Sequence, residues 1–300
     1  MRKLAAIALS TYFIAASAFA QDWKVAADRS VGGFKFPESA AYDAKGKVLY
    51  VGNFGGDKLD PGAKDGRGYI SKVDLNGKVI EERALAGTAE APMNKPKGIW
   101  IRGERLWVTD IDAVWIFDLK SKKSRRLPIP GATFANDPCI LGGALYVSDN
   151  RSDKLFKIIP ADFLDEKKNA QVTEVFAGAG VNPNGVYPSK TGSLLMAGFK
   201  SADEARALYA ISPKGQVKKL TDPIGRLDGL YEMKDGSLLF TDWNTSSLSH
   251  WSAKGGVTKL ADGFKGPADF TVIPGKDNTL TVVVPDLVQS QLRFIQLRKQ

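Results

Sequence analysis

Residues Arg226 to Asn244 read RLDGLYEMKDGSLLFTDWN, in which an Asp-Gly pair precedes two short apolar runs joined by a Lys-Asp-Gly turn. The runs and the turn predict a β-hairpin. The pattern occurs six times, and its copies begin at Glu38, Lys97, Asn136, Asn184, Asp228 and Ala268. Successive starts are separated by 59, 39, 48, 44 and 40 residues, close to the length of one four-stranded propeller blade. The sequence therefore predicts an all-β fold, a six-bladed β-propeller with four-stranded antiparallel blades.

The last repeat is too short to supply four strands. After its hairpin only SQLRFIQLRKQ remains, which is enough for a third strand. At the other end of the chain, DWKVAADRSVGGFKF precedes the first repeat and resembles the outer strand of a blade. We expect Trp23 to Ala26 to pair with the last blade, because this closes the ring and removes two exposed sheet edges.

The first residues of the six repeats are expected to meet at one mouth of the central channel, related by turns of roughly 60° in a six-bladed ring. We call this set the ring residues. Glu38, Asn136, Asn184 and Asp228 would then bring oxygen atoms together from four blades. With no histidine or cysteine near them in the pattern, these residues predict a site for a hard divalent cation. Ca²⁺ is favoured, with Mg²⁺ and Mn²⁺ as alternatives.

Around the ring residues the sequence resembles the senescence marker protein (regucalcin)/gluconolactonase family and, more distantly, the calcium-dependent phosphotriesterase diisopropylfluorophosphatase. The blade pattern extends the resemblance over the whole mature chain. Its specific part is Glu38 in PES, Asn136 in AND, Asn184 in PNG and Asp228 in LDG, in the family's chain order. The resemblance implies that these four residues bind a divalent metal, with Asn136 also near the substrate. It further implies hydrolysis of lactones or related esters, with the metal polarising the carbonyl and Asp228 acting as general base.

Three positions depart from the family pattern. Ser39 and Ala40 replace its usual Gly-Pro, and Phe134 stands where sugar-lactone enzymes carry a substrate-binding arginine. A sugar acid lactone is therefore not the expected substrate, and Phe134 is a candidate substrate contact. Lys97 places a cation in the ring, where it could pair with Glu38 and partly substitute for the metal. The favoured expectation is that Lys97 turns into solvent and meets an anionic group of the substrate.

Two functions remain open from the residues. The first is a metal-dependent hydrolase of the lactonase or esterase type acting on a small molecule. The second is a non-catalytic ligand-binding or protein-binding propeller, in which the Asn-Gly and Asp-Gly pairs only shape the entry to each inner strand, as in NHL-type scaffolds. The sequence has no G-x-S-x-G elbow, P-loop or dinucleotide fingerprint.

Three further features have local interpretations. Asp110, Asp149 and Asp242 end second strands and are expected to cap turns at the same mouth. His250, the single histidine, falls on a third strand and is expected to be an outer packing residue. Residues 52 to 68 form the longest insertion and should emerge beside the ring, either as a mobile lid or as a solvated loop.

The amino terminus has the pattern of an export signal. Arg2 and Lys3 precede an apolar run that ends in Ala-Phe-Ala at residues 18 to 20, so residues 1–20 are interpreted as a cleavable signal peptide and 21–300 as one propeller domain. A periplasmic or secreted protein is expected, with no transmembrane segment in the mature chain. Cys139, the single cysteine, is expected in the core. The net charge of +9 is scattered over turns, so nucleic-acid binding is not expected. A monomer is expected.

Overall fold

The computed structural model describes residues 23–200 and 204–300, and these residues form β-strands without any helix. The strands make six four-stranded antiparallel sheets, which confirms the predicted six-bladed β-propeller. No helix in this part of the chain could cross a membrane. The proposed signal peptide, residues 1–20, lies outside the described residues.

Each of the first five blades is one continuous segment with its strands in chain order from the channel outward. Blade one contains β2 (Pro37–Asp43), β3 (Val48–Asn53), β4 (Tyr69–Val73) and β5 (Val79–Leu85). Blade two contains β6 (Pro96–Arg102), β7 (Arg105–Asp110), β8 (Ala113–Asp118) and β9 (Ser124–Pro128). Blade three contains β10 (Ala135–Leu141), β11 (Ala144–Asp149), β12 (Lys154–Ile159) and β13 (Gln171–Ala177).

The second half of the ring follows the same order. Blade four contains β14 (Pro183–Pro188), β15 (Leu194–Gly198), β16 (Leu208–Ile211) and β17 (Val217–Lys219). Blade five contains β18 (Leu227–Glu232), β19 (Leu238–Asp242), β20 (Ser247–Ser252) and β21 (Gly256–Ala261). Blade six contains β22 (Thr271–Pro274), β23 (Thr279–Asp286) and β24 (Gln291–Lys299), with β1 (Trp23–Gly32) as its outer strand.

The pairing of β1 with β24 closes the ring, as the sequence predicted. The pairing is longer than expected, because it runs from Trp23 opposite Lys299 to Gly32 opposite Gln291. Most of β1 is exposed, so its main-chain hydrogen bonds to β24 are its principal attachment. An ion pair between Arg293 and Asp28 at 2.5 Å adds a side-chain link between the two strands.

The apolar core is divided among the boundaries between blades. Six clusters of buried side chains lie one at each boundary, each contributed by the facing surfaces of two neighbouring sheets. The cluster between blades two and three, for example, packs Trp107 and Ile116 against Leu145 and Phe156. Because each blade buries both of its faces, every blade depends on two neighbours, and ring closure stabilises all of them.

Removal of β1 tests the closure. A chain beginning at Gly33 should melt at least roughly 5 °C below a chain beginning at Trp23, because β24 loses its main-chain partner and a shift of this size corresponds to a few kcal/mol in a protein of this length. Thermal unfolding followed by circular dichroism measures the difference. The exposed β24 edge should also promote aggregation. Equal melting temperatures would contradict the closing role of β1.

Candidate functional site at the channel mouth

The ring residues lie at a repeated β-bulge. In five blades the ring residue is the second residue of the innermost strand, and the register with the second strand shifts at that point. A bulge bends the strand and redirects a side chain from its normal alternation. Ala268, in blade six, precedes β22 instead, and its amide donates to the Pro285 carbonyl at 3.0 Å.

Hydrogen bonds between neighbouring blades position the backbone of the ring. Five ring carbonyls each accept a hydrogen bond from the adjacent blade. The pairs, donor first, are Ser39 to Lys97, Thr109 to Asn136, Ser148 to Asn184, Thr241 to Ala268 and the Asp269 amide to Glu38. The carbonyls are therefore used for assembly, and the side chains are the groups left for a ligand.

Glycines follow three ring residues because the inner strands approach one another closely. A side-chain carbon on Gly185 would lie 2.2 Å from the Asp228 carbonyl oxygen, and one on Gly98 would lie 2.1 Å from the Asp137 carboxylate. Neither glycine has a positive φ. The Asn184-Gly185 pair is thus inside a strand, and its glycine permits blade contact, so it is not the strand-entry turn of the non-catalytic alternative.

Aspartates at the ends of second strands hold the segments that lead into the ring. The prediction that Asp110, Asp149 and Asp242 cap turns at this mouth is confirmed, and Asp286 is a fourth member that the sequence analysis missed. Each aspartate accepts a hydrogen bond from the backbone amide that lies two residues before a ring residue. The donors to Asp110, Asp149, Asp242 and Asp286 are, in that order, Lys95 at 2.8 Å, Phe134 at 2.8 Å, Arg226 at 3.0 Å and Gly266 at 3.0 Å.

The four oxygen-bearing ring residues share one cavity at the mouth. Its volume is about 540 Å³, and Glu38, Asn136, Asn184 and Asp228 all line it while being at most 5% exposed. Aromatic and aliphatic side chains form its walls: Phe54, Leu59, Pro61, Phe134, Phe199, Trp243 and Leu287. The structure therefore brings the four predicted metal ligands together. Lys97 and Ala268 do not line this cavity.

Three of these four residues carry an oxygen without a partner. Glu38 Oε2, Asn184 Oδ1 and Asp228 Oδ1 are inaccessible to solvent and accept no hydrogen bond. Leaving a buried polar atom unpaired costs about 1–3 kcal/mol. Carboxylate and amide oxygens converging in this way fit a hard divalent cation. The amides are essential to that fit, because within residues 23–200 and 204–300 no three Asp, Glu, His or Cys side chains group as metal ligands.

Two residues of the site were missed by the sequence analysis. The Trp243 indole nitrogen donates to Asp228 Oδ2 at 2.9 Å, and Asn150 places another unpaired, buried oxygen in the same cavity. Each directly follows an aspartate that ends a second strand, Asp242 or Asp149. Comparison of that column between repeats would have identified both, because a residue just beyond the capping aspartate also faces the mouth.

Lys97 does not turn into solvent, so the favoured expectation for it was wrong. Its side chain is fully buried, and its ammonium lies 4.1 Å from the centre of the Phe134 ring and 5.6 Å from that of Phe54. The ammonium donates to the Lys95 carbonyl at 3.4 Å and forms no ion pair within 4.0 Å with Glu38. Cation–π contacts from aromatic side chains therefore hold it below the cavity, and direct substrate binding by Lys97 is not supported.

Phe134 is at the cavity wall, in keeping with its selection as a candidate substrate contact. Its ring has the Lys97 ammonium at 4.1 Å and the Arg151 guanidinium at 3.7 Å. Two cations this close cannot share one face, so the ring separates a buried cation from an exposed one. Substrate binding by Phe134 and Asn136 remains a prediction.

Burial dominates the electrostatics of the site. It raises the pKa of Asp228 to about 7, against the hydrogen bond from Trp243 and the nearby Asn184 amide. Burial and the charge of Asp228 raise the pKa of Glu38 well above its ordinary value, while Lys97 opposes the rise. Burial also lowers the pKa of Lys97 to about 8, against the charge of Glu38. A bound cation would favour ionisation of both carboxyl groups.

Two more carboxyl groups lie one residue beyond the ring. Asp137 and Asp269 are buried and line a second cavity of about 170 Å³. Asp137 Oδ2 accepts the Val186 amide at 2.7 Å, which ties blade three to blade four. Burial raises the pKa values of both carboxyl groups, and their mutual repulsion adds to the rise at Asp269. These aspartates occupy the column that holds glycine or serine in the other repeats.

The insertion after β3 covers part of the mouth. Leu59 and Pro61 line the cavity, which confirms that the loop emerges beside the ring. The fully buried ammonium of Lys95 anchors the loop, because it contacts the Asp65 carboxylate at 2.8 Å and the Phe54 carbonyl at 3.2 Å. The loop is therefore attached at its base. Movement of its tip as a lid remains a prediction.

The single histidine and the single cysteine lie outside the cavity lining. His250 is on β20, the third strand of blade five, and is half-buried, in agreement with the expected packing position. Cys139 is fully buried in the cluster between blades three and four, as expected for a small core residue.

The fold is shared with proteins of differing activities. A gluconolactonase from Xanthomonas campestris is similar with a TM-score of 0.64 and 13% identity, over 91% of each chain. Virginiamycin B lyase from Staphylococcus aureus is similar with a TM-score of 0.61 and 13% identity, over 93% of this chain and 100% of that one. An auxiliary nutrient binding protein from Bacteroides ovatus is similar with a TM-score of 0.62 and 11% identity, over 89% of this chain and 70% of that one. No protein-family model and no curated protein matches the chain. At these identities the similarity establishes the propeller fold.

The raised pKa of Asp228 predicts how stability of the metal-free protein depends on pH. The folded state keeps the Asp228 proton up to about pH 7, whereas the unfolded state releases it near 3.8. The contribution of protonated Asp228 to the free energy of unfolding is therefore fully present below pH 3.8 and is lost as pH rises through 7. In chelator, Asp228→Asn should flatten this dependence and exceed the parent in stability at pH 8 by roughly 1–4 kcal/mol.

Urea unfolding at several pH values between 4 and 8 measures the effect. Asp222→Asn, at an exposed position, is the matched control and should follow the parent. If the free energy of unfolding depends on pH in the same way for the parent and for Asp228→Asn, the raised pKa is contradicted.

Proposed function

We propose that this protein is an exported divalent-metal-dependent hydrolase of the lactonase or esterase type. The observation that carries the proposal is the convergence of three buried, unpaired oxygens, from Glu38, Asn184 and Asp228, at the floor of one cavity. Ca²⁺ is the cation most compatible with an all-oxygen set, with Mg²⁺ or Mn²⁺ as alternatives. Glu38, Asn136, Asn184 and Asp228 would hold the metal.

The chain's own residues suggest how the reaction is supported. A bound divalent metal would supply Lewis acidity to polarise the substrate carbonyl. Asp228 would use Oδ1 as a ligand, while Oδ2, oriented by the Trp243 indole, would take a proton from the attacking water. A bound cation would keep the Asp228 carboxyl group ionised at neutral pH, as a general base must be. The aromatic walls around this end of the cavity would limit the access of bulk water.

The similarity to solved structures supports both this function and its rival. A gluconolactonase shares the fold, and so does a nutrient binding protein. The unpaired oxygens favour a cation-binding site, because a ring that binds no cation would keep their desolvation cost without compensation, and hydrolysis is what separates the proposed function from its rival. Hydrolysis of small aliphatic and aromatic lactones with Ca²⁺, Mn²⁺ or chelator discriminates between them. Inactivity under every metal would favour the non-catalytic binding propeller.

Substitutions of the two acidic ligands should separate metal binding from proton transfer. Asp228→Asn keeps an oxygen ligand but removes the base, so turnover should fall by about 10²–10⁴ and stay low at saturating metal. Glu38→Gln removes charge without removing the base, so raising the metal concentration should restore much of its activity. Steady-state kinetics across a metal titration measures both effects.

Metal-dependent thermal shifts report binding independently of turnover. Both variants should need more metal than the parent for the same shift, and Asp222→Asn should match the parent. If both site variants bind metal as the parent does and hydrolyse at the parent rate, the ring has no catalytic role.

Export is a separate part of the proposal and rests on residues 1–20 alone. Cleavage after Ala20 would leave a mature chain that begins at Gln21. Mass spectrometry of the protein from a periplasmic or secreted fraction should give the mass of residues 21–300. A full-length mass from the cytoplasmic fraction alone would contradict export.

A further inference from the structure

Two arginine side chains stand at the rim of the cavity without a carboxylate partner. Arg151 and Arg226 both line the cavity, and neither forms an ion pair within 4.0 Å with any described residue. Three other cations near this mouth are neutralised, Lys64 by Asp112, Lys95 by Asp65 and Lys200 by Glu204, whereas Lys97 is buried outside the cavity lining. The two guanidinium groups therefore give the rim an uncompensated positive charge.

The two arginines are oriented by the walls of the cavity. The Arg151 guanidinium lies 3.7 Å from the centre of the Phe134 ring, and that of Arg226 lies 5.8 Å from the centre of the Phe199 ring. Arg226 Nε also donates to Asn244 Oδ1 at 2.6 Å. Arg151 lies against a ring face and Arg226 uses its Nε for Asn244, so each guanidinium keeps an edge of N–H donors that matches the two oxygens of a carboxylate.

Aromatic and aliphatic side chains make up much of the rest of the cavity lining. Phe199 and Trp243 meet edge to face at 5.9 Å, and the Phe54 and Leu287 side chains are almost fully buried beside them. A cavity of about 540 Å³ with such walls is large enough for a small aromatic ligand. The site is thus amphiphilic, because it combines buried unpaired oxygens, apolar walls and two arginines that are at least partly exposed.

We propose that the site selects amphiphilic anions: an aromatic or similarly apolar body bearing a carboxylate that the positive charge of Arg151 and Arg226 attracts to the rim. Under the proposed function, on which this part rests, the ester or lactone group at the other end of the body reaches Asp228. Sugar lactones are poor candidates because they offer neither the anion nor the apolar body. Recognition of the anion itself requires neither metal nor hydrolysis.

Binding of a non-reacting pair of probes tests the anion site directly. 2-Naphthoate and its neutral analogue 2-naphthamide are titrated in chelator at low salt, with tryptophan fluorescence as the signal because Trp243 lines the cavity. Naphthoate should bind at least about 10-fold more tightly. Arg151→Gln and Arg226→Gln should each weaken naphthoate binding about 3- to 10-fold, the range expected for a charge-assisted contact of partly exposed groups. Naphthamide binding should change less than about 2-fold.

Arg298→Gln is the matched control, since Arg298 is exposed on β24 and lies outside the cavity lining. It should leave binding of both probes unchanged, and thermal melts of all variants verify folding. Higher salt should weaken naphthoate binding and spare naphthamide. Equal affinities for the two probes, or naphthoate binding unaffected in both site variants, would overturn the proposal.

Hydrolysis of a matched ester pair separates this proposal from the proposed function. With metal present, kcat/KM for 4-acetoxybenzoate should exceed that for its methyl ester, and Arg151→Gln and Arg226→Gln should reduce the difference. Selective naphthoate binding without hydrolysis of either ester would support the anion site and contradict the hydrolase. Equal hydrolysis of both esters with no naphthoate preference would support the hydrolase and overturn the anion site.

Discussion

Hydrogen bonds from one blade to the ring carbonyl of the next are the interactions on which the site depends. Between blades two and three, where Thr109 donates to the Asn136 carbonyl, the innermost strands lie so close together that Gly98 has no room for a side-chain carbon beside Asp137. The carbonyls are consumed in this contact, and a bulge at the same point releases the ring side chain from the normal strand alternation. Assembly of the ring and placement of its side chains at the cavity are therefore one structural event.

The same closeness gives the site its unusual charge. Glu38, Asp137, Asp228 and Asp269 are all buried around the axis, and Lys97 is the cation among them. Burial of carboxylates is costly unless they are protonated or paired. The protein accepts this cost next to a cavity open to small molecules, where a cation could remove it. A scaffold built for stability alone would fill these positions with apolar or small residues, as blade six does with Ala268.

The mouth combines rigid and adaptable parts. Capping aspartates and the buried Lys95 fix the segments leading into the ring, so the side-chain oxygens of the ring are placed by backbone that is itself hydrogen-bonded. The rim is different, because Arg151 is exposed and the tip of the insertion contributes the partly exposed Leu59. Chemistry near Asp228 would thus be set by the scaffold, whereas selection among ligands would depend on side chains that evolution can change without disturbing the blades.

The sequence by itself determined the blade number, the closing strand and the ring of Glu38, Asn136, Asn184 and Asp228, because a repeat with a fixed strand order brings equivalent positions together wherever it folds. It did not determine the direction of Lys97 or the contact of Trp243 with Asp228. Lys97 belongs to blade two, but the rings of Phe54 and Phe134, from two other segments, hold its ammonium below the cavity. Such contacts depend on the shape between three packed segments, and no local pattern encodes that shape. Only the tertiary structure decided which ring residues line the cavity and which cations lack an acidic partner at its rim.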